Sequence, residues 1–189
     1  MSFRIAINGY GRIGRCVLRA LYEKQYREKI AIVAVNDIAD PQTMTYLTKY
    51  DTTHGRFPGS VSEGEGAIIV NGDTVRMFCE EEISNLPWKG MEIDAVLECS
   101  GVFSSRDQAG RHIDAGAKKV VFSHPADPEI DAIVYGVNHG ILTPDHTIIS
   151  NASCTSNCVV PILKTIDDAF GIDHGAVTTI HSAMNDQPV

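Results

Sequence analysis

The chain has 189 residues, 43% of them hydrophobic, enough for one full domain and the start of a second, since domains commonly run about 100–200 residues. Its formal charge of −8 provides no basic stripe for a phosphate backbone or an anionic bilayer, so nucleic acid and membrane are excluded as expected partners and a small molecule is favoured. Cys16, Cys79, Cys99, Cys154 and Cys158 are odd in number and widely spread, with neither a signal-like start nor a stretch of ~18 apolar residues, which sets the expectation at a cytoplasmic protein without a disulfide framework.

Residues Phe3–Asn8 are an apolar run that reads as a strand. Ile13, Cys16, Val17, Ala20 and Leu21 then recur at helical spacing, and Ile30–Val35 is apolar throughout, as suits a parallel strand covered on both faces. Between the first strand and the helix lies Gly9-Tyr10-Gly11-Arg12-Ile13-Gly14, a G-x-G-x-x-G turn. Such glycines serve a tight turn, backbone approach to a pyrophosphate, and close helix–sheet packing. The motif alone is weak, but here it follows a strand, opens a helix, and is succeeded by an acid, Asp37, at the end of the second strand. Asp37 is placed to hold ribose hydroxyls and to repel a 2′-phosphate, so NAD is expected over NADP.

In "AIIVNGDTVRMF", Asn71-Gly72 separates two strand-like runs and predicts an antiparallel hairpin. The strand–helix rhythm resumes with Ala95–Cys99, a helix from about Arg106 to Ala115, and strands at Lys119–Phe122 and Ala132–Tyr135. The expected fold class is α/β: a Rossmann-type, doubly wound, mostly parallel sheet over residues 1–150, followed at 151–189 by the start of an α+β catalytic domain. In this second part "SNASCTSNC" leads into an apolar helical stretch that stops at Gly171, then into the β-branched run Val177–Ile180.

Cys154 falls at the predicted start of that helix, with Ser153 as its cap, where the positive end of the helix favours a thiolate. An unassisted thiol is only a few per cent ionised at neutral pH. The ~0.3–1 kcal/mol usual for a helix terminus does not make it mostly ionised, so a base is required and His181 is the candidate. Spacing alone leaves two readings open, a catalytic pair or two unrelated residues. Cys158 makes only a C-x3-C pattern with Cys154, which is not a zinc spacing, and no metal is expected.

The motifs "INGYGRIGR", "VAVND", "KYDTTHGRF", "SGVF" and "SNASCTSNC", in this order, resemble the amino-terminal part of the phosphorylating glyceraldehyde-3-phosphate dehydrogenase family. The resemblance implies an NAD-binding domain, a catalytic domain from about Asn151 and a homotetramer of full-length subunits. It implies that Asn8, the three glycines, Arg12, Ile13, Asp37 and Ser123 serve the cofactor. Cys154 would attack an aldehyde, His181 would activate the thiol and relay protons, and Ser153 and Thr155 would meet the substrate. Relatives continue beyond this point, so the chain is expected to be an amino-terminal fragment that lacks part of the active-site wall and is inactive alone.

Two departures stand out. Glu80-Glu81-Glu82 replaces the basic residue common in relatives on the adenine side, and Met184 stands where glyceraldehyde-3-phosphate dehydrogenases usually carry threonine. "FSHP", "LPW" and "HSAMNDQ" are similar to the branch that oxidises D-erythrose 4-phosphate to 4-phosphoerythronate on the route to pyridoxal phosphate. A small phosphorylated aldose is therefore the expected substrate, with glyceraldehyde 3-phosphate as the alternative.

Overall fold

The computed structural model describes residues 2–182. Its first strand, β1 (Phe3–Asn8), turns Ile5 and Ile7 to one face, where they pack with Leu18 and Leu21 of helix α1 (Arg12–Glu23). Ala6 points the other way, toward Trp88, Ile93 and Val96. Burial on both faces is what a central parallel strand requires, and β2 (Ile30–Asn36) shares it.

After β2 come α2 (Pro41–Lys49), a small hairpin of β3 (Tyr50–Asp51) and β4 (Gly55–Arg56), then β5 (Val61–Gly64), β6 (Ala67–Val70) and β7 (Asp73–Phe78). The second half adds β8 (Ala95–Glu98), α3 (Arg106–Asp114), β9 (Val120–Phe122), β10 (Ile148–Ser150) and α4 (Cys154–Phe170). The eight-stranded sheet runs β10-β9-β8-β1-β2-β7-β6-β5. The pairings β7–β2–β1–β8–β9–β10 are all parallel, with β6 and β5 added antiparallel at one edge. This is the doubly wound order: the chain builds outward through β2 and β7, then returns to the opposite side of β1 as β8. Outside the carboxyl ends of β1 and β8 the winding reverses, and crevices that take ligands form at such reversals.

The helix ends follow their sequence signals. Asp40 caps α2 by accepting from the N–H groups of Gln42 and Thr43, and Ser105 forms a capping box with Gln108 at α3. Ser153 caps α4 through the N–H of Ser156, and Gly171, at φ +73°, follows its last turn. The β6–β7 turn has Asn71 at φ +51° and Gly72 at φ +89°, the two positive values of the hairpin read from Asn-Gly.

Two elements differ from the sequence reading. Ala132–Tyr135 is not a strand and makes only one bridge, from Ala132 to Ser150. The Asn138 side chain accepts from Val134 N–H and donates to Ala132 C=O, bending the segment into a turn. The strand beside β9 at that edge of the sheet is β10. Val177–Ile180 has no regular structure and is exposed, its β-branched residues finding no neighbouring strand. No helix among the described residues is long and apolar enough to cross a membrane.

The hairpin gives a stability test. Space around Gly72 is open, so its left-handed backbone alone opposes a side chain there. Gly72→Val is expected to lower the unfolding free energy by about 1–2 kcal/mol, measured by urea denaturation, with secondary structure unchanged by circular dichroism.

Candidate active site

A cleft of about 330 Å³ opens at the reversal point, above the carboxyl ends of β1, β2, β7 and β8. Asn8, Gly9 and Gly11 line it from β1 and the glycine turn, Asn36, Asp37 and Ile38 from the end of β2, and Glu80 and Glu81 from beyond β7. Cys99, Ser100, Val102 and Phe103 close it on the β8 side.

Each glycine of the turn has a separate spatial reason. Gly9 is at φ +85°, and a Cβ there would lie 2.4 Å from Ser100 Cα and N, so only glycine lets the turn meet the β8 loop. A Cβ on Gly14 would lie 2.4 Å from Gly9 C=O, so its absence seats α1 on the turn. A Cβ on Gly11 would meet nothing within 4 Å, leaving clear backbone at the cleft. Gly11 is also the N-cap of α1, whose first turn has no side-chain cap and no acid. Unsatisfied N–H groups at a helix start facing open space suit the phosphates of a dinucleotide.

The Asp37 carboxylate is held in place before any ligand arrives: Tyr10 N–H donates to one oxygen at 2.6 Å and Ala39 N–H to the other at 2.9 Å. Each oxygen retains a lone pair for a ribose hydroxyl. Glu80 meets Asn36 through its backbone, its N–H donating to Asn36 Oδ1 and its C=O accepting from Asn36 Nδ2, both at 2.9 Å. The acidic run therefore supplies main chain as well as side chains to this side of the cleft.

Other residues named for the cofactor sit differently. Ile13 lies half-exposed in the first turn of α1, and the Arg12 guanidinium contacts Asp51 at 3.1 Å. Asp51 is kept anionic chiefly by the N–H groups of His54 and Thr53, which draw its pKa down to about 2. Ser123 follows β9, donates its N–H to Glu98 C=O and hydrogen-bonds the Cys99 thiol; it is not part of the cleft wall.

Cys154 opens α4 and is exposed, with its Sγ 3.1 Å from His181 Nε2. His181 Nδ1 is 2.6 Å from Ser182 C=O, an oxygen that can only accept, so Nδ1 carries the proton and Nε2 presents a lone pair to the thiol. The hydrogen bond from His181 is the main reason that the Cys154 thiol lies below its ordinary pKa. The His181 charge and hydrogen bonds from the Thr155 backbone and hydroxyl act in the same direction, against slight desolvation. Ser153 Oγ is committed to Ser156, and Thr155 stands directly beside the nucleophile. Met184 lies outside the described residues.

Asn36 and the Val102–Phe103 wall were not singled out from sequence. "SGVF" was a recognisable motif, but only the fold places it opposite Asp37, and an asparagine ending a buried strand was the available signal for Asn36.

The thiols provide a ranking. Burial pushes Cys99 up to about 12, whereas Cys154 is drawn down and exposed. Iodoacetamide at neutral pH, followed by peptide mass spectrometry, is expected to modify Cys154 first and Cys99 last. Because the thiolate persists above a lowered pKa, His181→Asn should move the Cys154 alkylation profile to higher pH. Its rate at pH 7 should fall toward that of Cys158, one helical turn away.

The site's two halves have counterparts in known proteins. Residues 3–106 match the family described as glyceraldehyde 3-phosphate dehydrogenase, NAD binding domain, and residues 153–189 match glyceraldehyde 3-phosphate dehydrogenase, C-terminal domain. The first match spans the glycine turn, Asp37 and the β8 wall, and the second begins at the residue that caps the helix of Cys154. The chain belongs to the glyceraldehyde-3-phosphate dehydrogenase family, and the activity of that family is NAD-dependent dehydrogenation.

Proposed function

We propose that the protein oxidises the aldehyde of a small phosphorylated aldose, D-erythrose 4-phosphate, with NAD held in the cleft at the β1/β8 reversal. The observation that carries this reading is the 3.1 Å contact between an exposed, helix-initiating Cys154 and the unprotonated nitrogen of His181. His181 Nε2 takes the thiol proton, the sulfur attacks the aldehyde carbon, and His181 hands that proton to the carbonyl oxygen, giving a thiohemiacetal and a bare Nε2. NAD supplies the hydride acceptor. Loss of hydride from that carbon and of the hydroxyl proton to the His181 side leaves a thioester, which water or phosphate releases from the sulfur.

Erythrose 4-phosphate is favoured over glyceraldehyde 3-phosphate by "FSHP", "LPW" and "HSAMNDQ" and by the chemistry of Met184. A threonine hydroxyl donates to a phosphate oxygen; a thioether cannot. Removing an anchor near the sulfur handicaps the shorter substrate more, because the longer one carries its phosphate one carbon further from the aldehyde.

For these 189 residues alone, a second reading is that they bind dinucleotide without turnover. It is favoured by α4, which has no buried residue and exposes Ile162, Ile166 and Phe170. NAD-dependent thermal stabilisation together with NADH formation from erythrose 4-phosphate separates the two. Stabilisation without turnover supports the module reading, and turnover rejects it. A homotetramer, as the family resemblance implies, is part of the proposal for the complete subunit.

Asp37→Ala is expected to raise the Kd for NAD about tenfold and shift preference toward NADP, since ribose hydrogen bonds are lost and repulsion of a 2′-phosphate is relieved. An unchanged NAD/NADP ratio by calorimetry would remove Asp37 from the site. In the catalytically competent enzyme, Met184→Thr should raise the relative kcat/KM for glyceraldehyde 3-phosphate about tenfold, or about 1.4 kcal/mol, the worth of one modest hydrogen bond to a charged group. A ratio of specificity constants that does not move would leave the erythrose assignment on motif similarity alone.

A further inference from the structure

On the nucleophile's side of the sheet lies a buried hydroxyl that the mechanism above does not use. Ser150 ends β10, just before the turn into α4, and is 1% exposed. Its Oγ donates to His124 C=O at 2.7 Å and accepts from Ala152 N–H at 3.0 Å. A carbonyl only accepts and an N–H only donates, so the single hydroxyl proton goes to His124 and a lone pair to Ala152. Ala152 is buried and sits at φ +57°, a left-handed conformation that its Cβ disfavours. The reversal there carries the chain from β10 into Ser153, the N-cap of α4, and Cys154, its first residue. Asn157 closes the turn from the helix side, its Nδ2 donating to Asn151 C=O at 2.7 Å and to Ser153 C=O at 3.0 Å. On the sheet side the anchor is tied to the cleft: His124 Nε2 donates at 2.8 Å to the C=O of Phe103, which lines it.

We propose that Ser150 is a positioning residue for the nucleophile: through the Ala152 turn its hydroxyl sets where α4 begins and so holds Cys154 facing His181. This rests on the reading of Cys154 and His181 as the reacting pair. The groups that ionise the thiol act at short range, the His181 ring at 3.1 Å and the N–H and hydroxyl of Thr155 in the first helical turn. Both depend on the helix starting where it does. Without the Ser150 hydroxyl, Ala152 N–H and His124 C=O lose a shared partner in a buried place, and the disfavoured φ loses what holds it. The turn then relaxes toward a conformation that satisfies its backbone and no longer aims the sulfur. In "FSHP" the main chain of His124 anchors the nucleophile's turn, while its ring reaches the wall of the cleft.

Ser150→Ala removes the hydroxyl and little else. Alkylation by iodoacetamide, followed by peptide mass spectrometry as a function of pH, reads the outcome at Cys154. The midpoint of its profile should move to higher pH, and its rate at pH 7 relative to Cys158 should fall about fivefold, because a thiolate persists only above the thiol pKa. Cys158, exposed and one turn further along the same helix, is the internal reference, since unravelling of α4 as a whole would change both thiols together. Ser150→Thr restores the hydroxyl and should return the Cys154 midpoint to its original place. A hydroxyl that merely stabilises the fold would give a lower Tm with the Cys154 midpoint and the Cys154/Cys158 ratio unchanged. That result overturns the proposal, as does a folded Ser150→Thr that keeps the profile of the alanine variant. Should Ser150→Ala not fold, Asn157→Ala loosens the same turn from its exposed side. It should shift the Cys154 midpoint in the same direction, and an unmoved midpoint there counts against the proposal. His181→Asn, measured alongside, separates the two levels. A shifted midpoint in that variant with none in Ser150→Ala defeats this inference alone, and no shift in either defeats the reading of the nucleophile as well.

Discussion

Glu98 is the buried anion on which the ends of the central strands converge. A parallel sheet exhausts its ladder of hydrogen bonds at its carboxyl edge, and polar groups buried there need other partners. In this chain Asn8 closes β1, Asn36 closes β2 and Glu98 closes β8, all buried and joined side chain to side chain. A carboxylate out of water costs several kcal/mol unless its lone pairs are filled, and stripping one partner from such a site typically costs ~3–5 kcal/mol. Here Asn8, His112 and Ser100 fill them. The same bonds that make the charge tolerable fix the relative heights of β1, β2 and β8, and therefore the floor of the cleft between them.

The approach of Gly9 to Ser100 depends on that floor. A turn whose missing Cβ would lie 2.4 Å from a neighbouring backbone can close only if that backbone is held still. Ser100 is held still by Glu98, two residues earlier on the same strand end. The glycine fingerprint is in this sense half of an interface, and its other half is the loop after β8.

Much of the fold was legible because its signals are local. The apolar run Phe3–Asn8, the helix period from Ile13 to Leu21 and the Asn71-Gly72 turn each carry their information within a dozen residues, and all three form as read. Helix α2, polar and barely periodic, was not seen, nor was β10, a three-residue edge strand behind a turn. The anchoring chain was hidden for a different reason. Asn8 and Glu98 are 90 residues apart, and His112, one residue past an exposed Arg111 on an otherwise polar helix, reads as surface until Trp88 is placed over it. Long-range polar pairing leaves no periodic trace in a single sequence.

The candidate nucleophile shows the same division. Ser153 before an apolar helical run marks the start of α4 and hence Cys154, but the return of the chain that brings His181 to 3.1 Å is tertiary. Because Cys154 is exposed, the charge attraction of such a pair is weak, about 1 kcal/mol for unit charges 4 Å apart in water. What remains effective in water is direction: Ser182 C=O holds Nδ1–H and aims Nε2 at the sulfur, so that Nε2, once it has taken the thiol proton, donates it back to the thiolate, and that hydrogen bond, ahead of the charge, lowers the thiol pKa. The sheet supplies the rest of the geometry. Asp37 follows β2, the glycine turn follows β1, Ser100 follows β8 and Cys154 follows β10, all at one edge because these strands are parallel. From β2 to β10 is four strand spacings of about 4.8 Å, roughly 19 Å in all. On the assignment proposed above, an extended dinucleotide with its adenosine ribose at Asp37 and its pyrophosphate over the bare helix start would span that edge and bring its other end toward the sulfur, so that the order of the strands would set which half of the cofactor meets the chemistry.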